Sequence, residues 1–176
     1  MRKVEVVPYD SRWRQDFEAE SQRISEVLVG NIVAVHHIGS TSIPGIYAKP
    51  VIDVMAEVEE ITRVDEQSPA LVSLGYEAMG EYGIPGRRYF RKETPEGIRT
   101  HHLHIFEADS VQVKSHLLYR DYELAHSDDA NRYSDLKRQL AAAYPTDIDG
   151  YMDGKDGFIK AMDQRAAQWH MSGRRV

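Results

Sequence analysis

A short loop rich in glycine and hydroxyl side chains joins two apolar segments, and it constrains the fold more than any other part of the sequence. The loop reads HIGSTSIPG over residues 37–45. Residues 32–38 before it are rich in apolar and β-branched residues, and in the segment 51–58 after it every second residue from Ile52 to Val58 is apolar. Both patterns are typical of β-strands. The sequence therefore predicts two strands joined by this loop, with Asp53 near the start of the second strand.

The loop has the residue types of a phosphate-binding site. Glycine lets the backbone approach a ligand closely, and hydroxyls and exposed amides can hold phosphate oxygens. The predicted phosphate- or nucleotide-binding residues in this segment are Gly39, Ser40, Thr41, Ser42 and, at its far end, Lys49. An ordinary polar turn is the alternative interpretation, because the Gly-Lys-Ser/Thr of a P-loop is missing.

Asp53 is the predicted catalytic residue. A carboxylate inside an apolar strand is costly unless it is paired. Next to a phosphate-binding loop, it could bind a Mg²⁺ ion that bridges phosphate oxygens. The alternative is a structural ion pair with Lys49 or with an arginine.

A histidine cluster suggests a metal site. His102 and His104 lie two residues apart on a predicted strand, residues 98–107, and therefore share a face. Together with Asp53 they form a two-histidine, one-carboxylate set, which predicts a divalent metal, either Mg²⁺ or a transition metal such as Mn or Zn. The alternative is that one histidine hydrogen-bonds Asp53 while the others only pack.

Basic residues cluster around a further predicted strand. Arg91 shares a face with Tyr89 there and is predicted to stabilise ligand charge. Lys137 and Lys155 fall on late predicted helices, where a lysine is usually an ordinary surface residue.

Composition excludes several classes of function. With no cysteine among its 176 residues, the chain has no disulfide, thiolate zinc site or cysteine nucleophile. A net charge of −6 argues against bulk nucleic-acid binding. No segment is apolar enough to be a signal-peptide core or to span a membrane, so we expect a cytoplasmic protein with no membrane partner.

The order of predicted elements indicates an α+β fold, since strands dominate the first part of the chain and helices the last. We expect a single domain over residues 1–170 and a disordered tail over residues 171–176. Ser11 is predicted to cap the first helix. The first predicted helix begins after residue 11. Three more cover residues 62–74, 115–125 and 127 or 128 to 143, and the last begins at about residue 149. The predicted strands are residues 32–38, 51–58, 76–79, 89–92 and 98–107.

Several motifs resemble the GrpB (UPF0157) family, within the polymerase-β-like nucleotidyltransferase superfamily. They are HIGSTSIPG at 37–45, AKPVID at 48–53, YFRK at 89–92, RTHHLH at 99–104, RDY at 120–122, LK at 136–137 and AYP at 143–145. The resemblance runs from about residue 4 to residue 166. It implies a nucleotidyltransferase-like mixed β-sheet flanked by helices, with a helical C-terminal part. It also implies nucleotidyl or phosphoryl transfer on a nucleotide or other phosphorylated small molecule.

The chain departs from the superfamily pattern at its acidic residues. Met55 stands where the superfamily usually has a second acid. Glu57 is on the same strand face but two residues further on, roughly 7 Å beyond that position along the strand. The strand that usually supplies the third acid carries His102 and His104 here. Three functions therefore stay open: metal-dependent transfer, a non-catalytic module that binds a nucleotide or a protein, and a metal-dependent hydrolase built on the histidines.

Overall fold

A five-stranded mixed β-sheet forms the centre of the fold. The computed structural model describes residues 3–174. In chain order the helices and strands are α1 (Arg12–Val27), β1 (Ile32–Ile38), β2 (Ile52–Val58), α2 (Ile61–Ser73), β3 (Tyr76–Ala78), β4 (Arg88–Glu93), β5 (Arg99–Glu107), α3 (Val111–Ala125), α4 (Ser127–Ala143) and α5 (Ile148–Met171). The expected α+β fold, a mixed sheet flanked by helices with a helical C-terminal part, is confirmed.

The strand order places β2 next to β5. The sheet runs β1-β2-β5-β4-β3, with β2 parallel to β5 and the other neighbours antiparallel. In this register Asp53 lies opposite His102, and Met55 lies opposite His104. Because directly opposite residues share a sheet face, the predicted carboxylate and both histidines meet on one side of the sheet.

The two faces of the sheet pack against different helices, as the period-2 pattern of β2 and β5 predicts. Val54 and Ile105 belong to the main apolar core, to which α1 and α2 contribute. On the other face, Met55 and Phe106 pack against Val113 of α3. The alternation thus gives one face to the core and the other to α3 and the polar residues near the loop.

The three C-terminal helices pack against one another through an apolar cluster. Tyr122 of α3, Tyr133 of α4 and Met162 of α5 contribute to it. α4 also contacts the segment after the loop, since the hydroxyl of Ser134 accepts a hydrogen bond from the amide of Tyr47 at 2.8 Å. The C-terminal helices are therefore fixed above the polar face of the sheet.

Two helix starts differ from the sequence prediction. Ser11 makes no capping hydrogen bond, and Asp10 Oδ1 accepts from the amide of Arg12 at 2.9 Å instead. α3 begins at Val111, four residues before the predicted start, because Ser110 caps it by accepting from the amide of Val113 at 3.4 Å.

The last described residues continue from α5. The amide of Arg174 donates to the carbonyl of Trp169 at 2.8 Å. Met171, the first residue of the expected tail, is the last residue of α5. Residues 175 and 176 lie outside the described range, so the disorder of the tail stays a prediction. Within residues 3–174, no helix has the length and apolar character needed to cross a membrane.

Candidate functional site

Gly39 sets the shape of the loop. Its φ of +72° lies in the left-handed region, and a Cβ built on it would come within 2.5 Å of Asp53 Oδ2. Both the conformation and the close approach therefore require glycine. The following residues, Ser40–Ser42, form one turn of 3-10 helix, in which the amide of Ser42 donates to the carbonyl of Gly39.

The three hydroxyl residues of the loop have different surroundings. Thr41 is buried, and its Oγ1 is 2.8 Å from Nε2 of His37. The Ser42 hydroxyl donates to the carbonyl of Gly39 and closes the turn. Ser40 lines two cavities that also have Asp53 in their walls. The hydroxyls of Thr41 and Ser42 thus hold the loop together, while Ser40 faces both cavities.

Asp53 is surrounded by histidines that are themselves held by arginines. His102 Nδ1 is 3.1 Å and His104 Nε2 is 3.7 Å from Asp53 Oδ1. On the far side of each ring, Arg99 lies 3.3 Å from His102 Nε2 and Arg87 lies 3.3 Å from His104 Nδ1. Burial acts to raise the pKa of Asp53, but the histidine contacts outweigh it and hold that pKa well below its usual value. Asp53 is therefore a carboxylate at neutral pH.

The arginines fix the tautomer of each histidine. A guanidinium can only donate hydrogen bonds, so the ring nitrogens facing Arg87 and Arg99 must accept. The nitrogens facing Asp53 then carry the protons and cannot ligate a metal in this arrangement. The histidine part of the predicted metal site does not fit as it stands. Among residues 3–174, no set of three or more histidine, aspartate or glutamate side chains is placed to hold a metal ion.

Asp53 alone fits a different kind of metal binding. Mg²⁺ prefers oxygen ligands and is commonly held by one or two carboxylates together with substrate phosphates and water. The ionised carboxylate beside the loop meets that requirement in its chemistry. The divalent metal remains a prediction, with Asp53 as its ligand from the protein.

A cavity of about 210 Å³ lies beside the loop and is lined by three lysines. Lys137 of α4 is 2% exposed and Lys155 of α5 is 9% exposed, and Lys49 follows the loop itself. Burial lowers the pKa of Lys137 to about 7 and the pKa of Lys155 to about 8. Within residues 3–174, the Lys137 Nζ has no hydrogen-bond partner. The cavity thus combines the backbone of a Gly-Ser loop with poorly solvated ammonium groups.

Aromatic rings position these lysines. Lys49 Nζ lies 4.6 Å and Lys155 Nζ 4.7 Å from the ring centre of Tyr151, and Lys137 Nζ lies 4.6 Å from that of Tyr133. Such cation–π contacts hold a cation without neutralising its charge. The ammonium groups therefore remain able to attract an anion.

The sequence interpretation treated Lys137 and Lys155 as ordinary surface lysines, although a signal for their burial was present. Each follows a tyrosine by four residues, Tyr133 and Tyr151, and such pairs lie on one face of a helix. The same spacing on two successive helices indicates that both lysines lie on the packed faces rather than on the surface. A reading of α4 and α5 by face would have found them.

A second, larger cavity of about 680 Å³ also has Asp53 in its wall. It shares Gly39, Ser40, Asp53 and Tyr133 with the lysine cavity. Its other walls come mainly from α3 and α5 and are largely apolar. The two cavities therefore meet at the loop and the carboxylate.

Arg91, a predicted ligand residue, lies away from both cavities. Arg91 pairs with Glu77, its Nε being 2.9 Å from Glu77 Oε2, and it lines neither cavity. Arg87 and Arg99 are the arginines of this strand region that reach the histidines.

Glu57 does not stand in for a second acid. Its Oε2 lies 2.5 Å from Nε2 of His36, and it lines neither cavity.

Comparisons with known proteins agree with this fold. The family model described as GrpB protein matches residues 3–165. The UPF0157 protein YqkA of Bacillus subtilis is 44% identical over 168 residues, which is 96% of this chain but only 48% of that protein. A UPF0157 protein of Streptomyces coelicolor is 38% identical over 90% of this chain and 81% of its own length. The crystal structure of the conserved protein GrpB from Enterococcus faecalis superposes with a TM-score of 0.90 at 43% identity, covering 95% of this chain and 99% of that one. The chain therefore belongs to the GrpB family.

Proposed function

We propose that this chain binds a nucleotide or another phosphorylated small molecule, with the phosphates in the lysine cavity beside the loop. The observation that carries the proposal is the meeting of Lys49, Lys137 and Lys155 in a cavity that the Gly39–Ser40 backbone also lines. Three cations around a glycine-serine turn make a site that favours an anion with several oxygens.

The burial of the lysines supports a ligand rather than a purely structural role. Taking an ammonium group out of water is costly unless it gains a partner. The described residues supply no hydrogen-bond acceptor to Lys137 Nζ, so part of that cost is uncompensated in the protein alone. A phosphate group in the cavity would supply both charge and acceptors.

Asp53 gives the site a route to transfer chemistry. Because its pKa is held low, Asp53 is a weak base, and it is better suited to binding a cation than to removing a proton. A Mg²⁺ held by Asp53 and by ligand phosphates would neutralise charge that develops in nucleotidyl or phosphoryl transfer. His102 and His104 orient the carboxylate, while Arg99 and Arg87 orient the histidines.

A binding role without catalysis is the second candidate. Met55 is fully buried in an apolar cluster at the position of the superfamily's second acid, and Glu57 is engaged with His36. A site with one carboxylate can bind a phosphorylated ligand without transferring any group. The two candidates share the ligand site and differ only in whether Asp53 supports turnover.

Calorimetric titration with inorganic tripolyphosphate tests the ligand site. We expect Lys137→Met to weaken binding by roughly tenfold or more, since it removes one charge-assisted contact. Lys114→Met is the matched control, because Lys114 is exposed on the same group of helices and lines neither cavity. Absence of tripolyphosphate binding, or equal loss in both variants, would contradict the proposal.

Product analysis separates the two candidate functions. The chain is incubated with each of ATP, GTP, CTP and UTP, with Mg²⁺ or Mn²⁺ and a panel of acceptors, and the products are separated by mass. Release of pyrophosphate or phosphate that is lost in Asp53→Asn supports transfer. Nucleotide binding with no product in either form of the chain supports the binding module.

A further inference from the structure

The larger cavity contains a buried acid that the phosphate site does not use. Glu123 of α3 is 3% exposed, lines this cavity, and has an Oε2 atom with no hydrogen-bond partner within residues 3–174. A buried oxygen without a hydrogen bond is uncommon and costly. The nearby Lys137 acts on it only through charge, and Tyr119 interacts with it from one side. Its remaining acceptor capacity is free for a ligand.

Apolar and aromatic side chains in the cavity wall are suited to an uncharged ring, and Arg120, His104 and His116 line the cavity as well. Ile43, Tyr119, Tyr133 and Ile159 give it apolar and aromatic walls, and its volume of about 680 Å³ is in the range of small-molecule sites. Asp163 of α5 lines the same cavity, and both it and Glu123 act electrostatically on Tyr119. This part of the cavity is therefore apolar with acidic acceptors, whereas the lysine cavity is cationic.

The two cavities together suit a ligand with two different ends. One end is anionic and lies among the lysines, and the other offers hydrogen-bond donors to an acid in apolar surroundings. Ser40 and Asp53 line both cavities, so a molecule that lies against these two residues would contact both. Burial also raises the pKa of Glu123 to about 7, and a protonated carboxyl group both donates and accepts. A nucleobase edge that carries an N–H donor beside an acceptor complements such a group.

We propose that the larger cavity holds the nitrogenous base of the bound nucleotide and that Glu123 recognises it by accepting a hydrogen bond from an N–H of that base. This inference rests on the proposed function, because it takes the phosphates to lie in the lysine cavity. It narrows the ligand from phosphorylated molecules in general to nucleotides. Glu123 is a specificity-determining residue in this arrangement.

Matched nucleotides that differ only at the base test the inference. ATP is compared with purine riboside triphosphate, and CTP with 2-pyrimidinone riboside triphosphate, each titrated calorimetrically into the full chain. The second member of each pair keeps the ribose and triphosphate but has no N–H on its base. We expect at least one amino-bearing nucleotide to bind about tenfold more tightly than its partner. Without the amino group, the buried carboxyl group of Glu123 would stay unpaired.

Substitution of the acid locates the preference. In Glu123→Leu the two members of the preferred pair should bind equally, while in Glu66→Leu, an exposed glutamate on α2 that lines neither cavity, the preference should persist. Where Glu123→Leu does not fold, the comparison in the unaltered chain decides alone.

The outcomes distinguish this inference from the proposed function. Equal affinities within both pairs, with GTP and UTP binding no more tightly than the nucleotides that lack an N–H, overturn the role of Glu123. A preference that survives in folded Glu123→Leu also overturns it, while tripolyphosphate binding still upholds the phosphate site. Failure of tripolyphosphate and of every nucleotide tested to bind overturns both the phosphate site and the base site.

Discussion

Gly39 is the residue at which conformation and site geometry are most tightly coupled. Gly39→Ala should lower the free energy of unfolding by about 2 kcal/mol or more for two reasons. Alanine is strained at a positive φ, and its Cβ would clash with Asp53 Oδ2. Gly45→Ala is the control, since its φ of +85° is similar but a Cβ there meets nothing within 4 Å. Urea unfolding measures both, and an equal loss in the two variants would mean that the contact with Asp53 contributes nothing.

The charge state of the buried lysines predicts an unusual pH dependence of binding. The pKa of Lys137 is about 7 and that of Lys155 is about 8, so both become neutral as the pH rises from about 6.5 to about 9, where ordinary lysines stay charged. Affinity for tripolyphosphate should therefore fall over this range. The polyphosphate itself gains negative charge as the pH rises, which acts to raise the affinity, so a fall in affinity must come from the protein. An affinity that does not fall in a calorimetric pH series would contradict the prediction.

At the scale of single elements, the helix N-termini give a matched test. Ser110→Ala should cost about 1 kcal/mol of unfolding free energy, because its hydroxyl caps α3. Ser11→Ala should cost little, since Asp10 accepts the bond that Ser11 was predicted to take. Chemical denaturation compares the two, and a larger effect at Ser11 would reverse the assignment of the caps.

The elements also show what the sequence could and could not predict. The strand pattern placed Asp53, His102 and His104 on one face correctly, because alternation along a strand is a local property. The sequence does not predict the burial of the lysines of α4 and α5, because that burial depends on how those helices pack over the loop. The pairing of Arg91 with Glu77 likewise depends on the β3–β4 register, which the chain's local pattern does not fix.

At the scale of the whole molecule, the sheet separates residues that stabilise the fold from residues that line the cavities. On the α1 side, Glu20 is 1% exposed and accepts hydrogen bonds from the Tyr76 hydroxyl at 2.7 Å and from Lys92 at 2.6 Å. This network joins α1 to β3 and β4. None of its three members lines the loop cavities on the opposite face.

Glu20→Gln should therefore destabilise the protein without changing its ligand affinity. The loss of charged hydrogen bonds predicts a cost of about 2 kcal/mol in the free energy of unfolding. Tripolyphosphate affinity, measured where the variant is still folded, should match that of the unaltered chain. A parallel loss of affinity would show that the two faces are coupled.

The central claim is that phosphates bind between the Gly39–Ser42 loop and the buried lysines. A crystal structure of the chain with ATP and Mg²⁺ tests it most directly. The claim predicts phosphate oxygens within hydrogen-bond distance of Ser40 and of the Nζ atoms of Lys137 and Lys155. Nucleotide bound elsewhere on the surface, with the lysine cavity holding no phosphate, would contradict it.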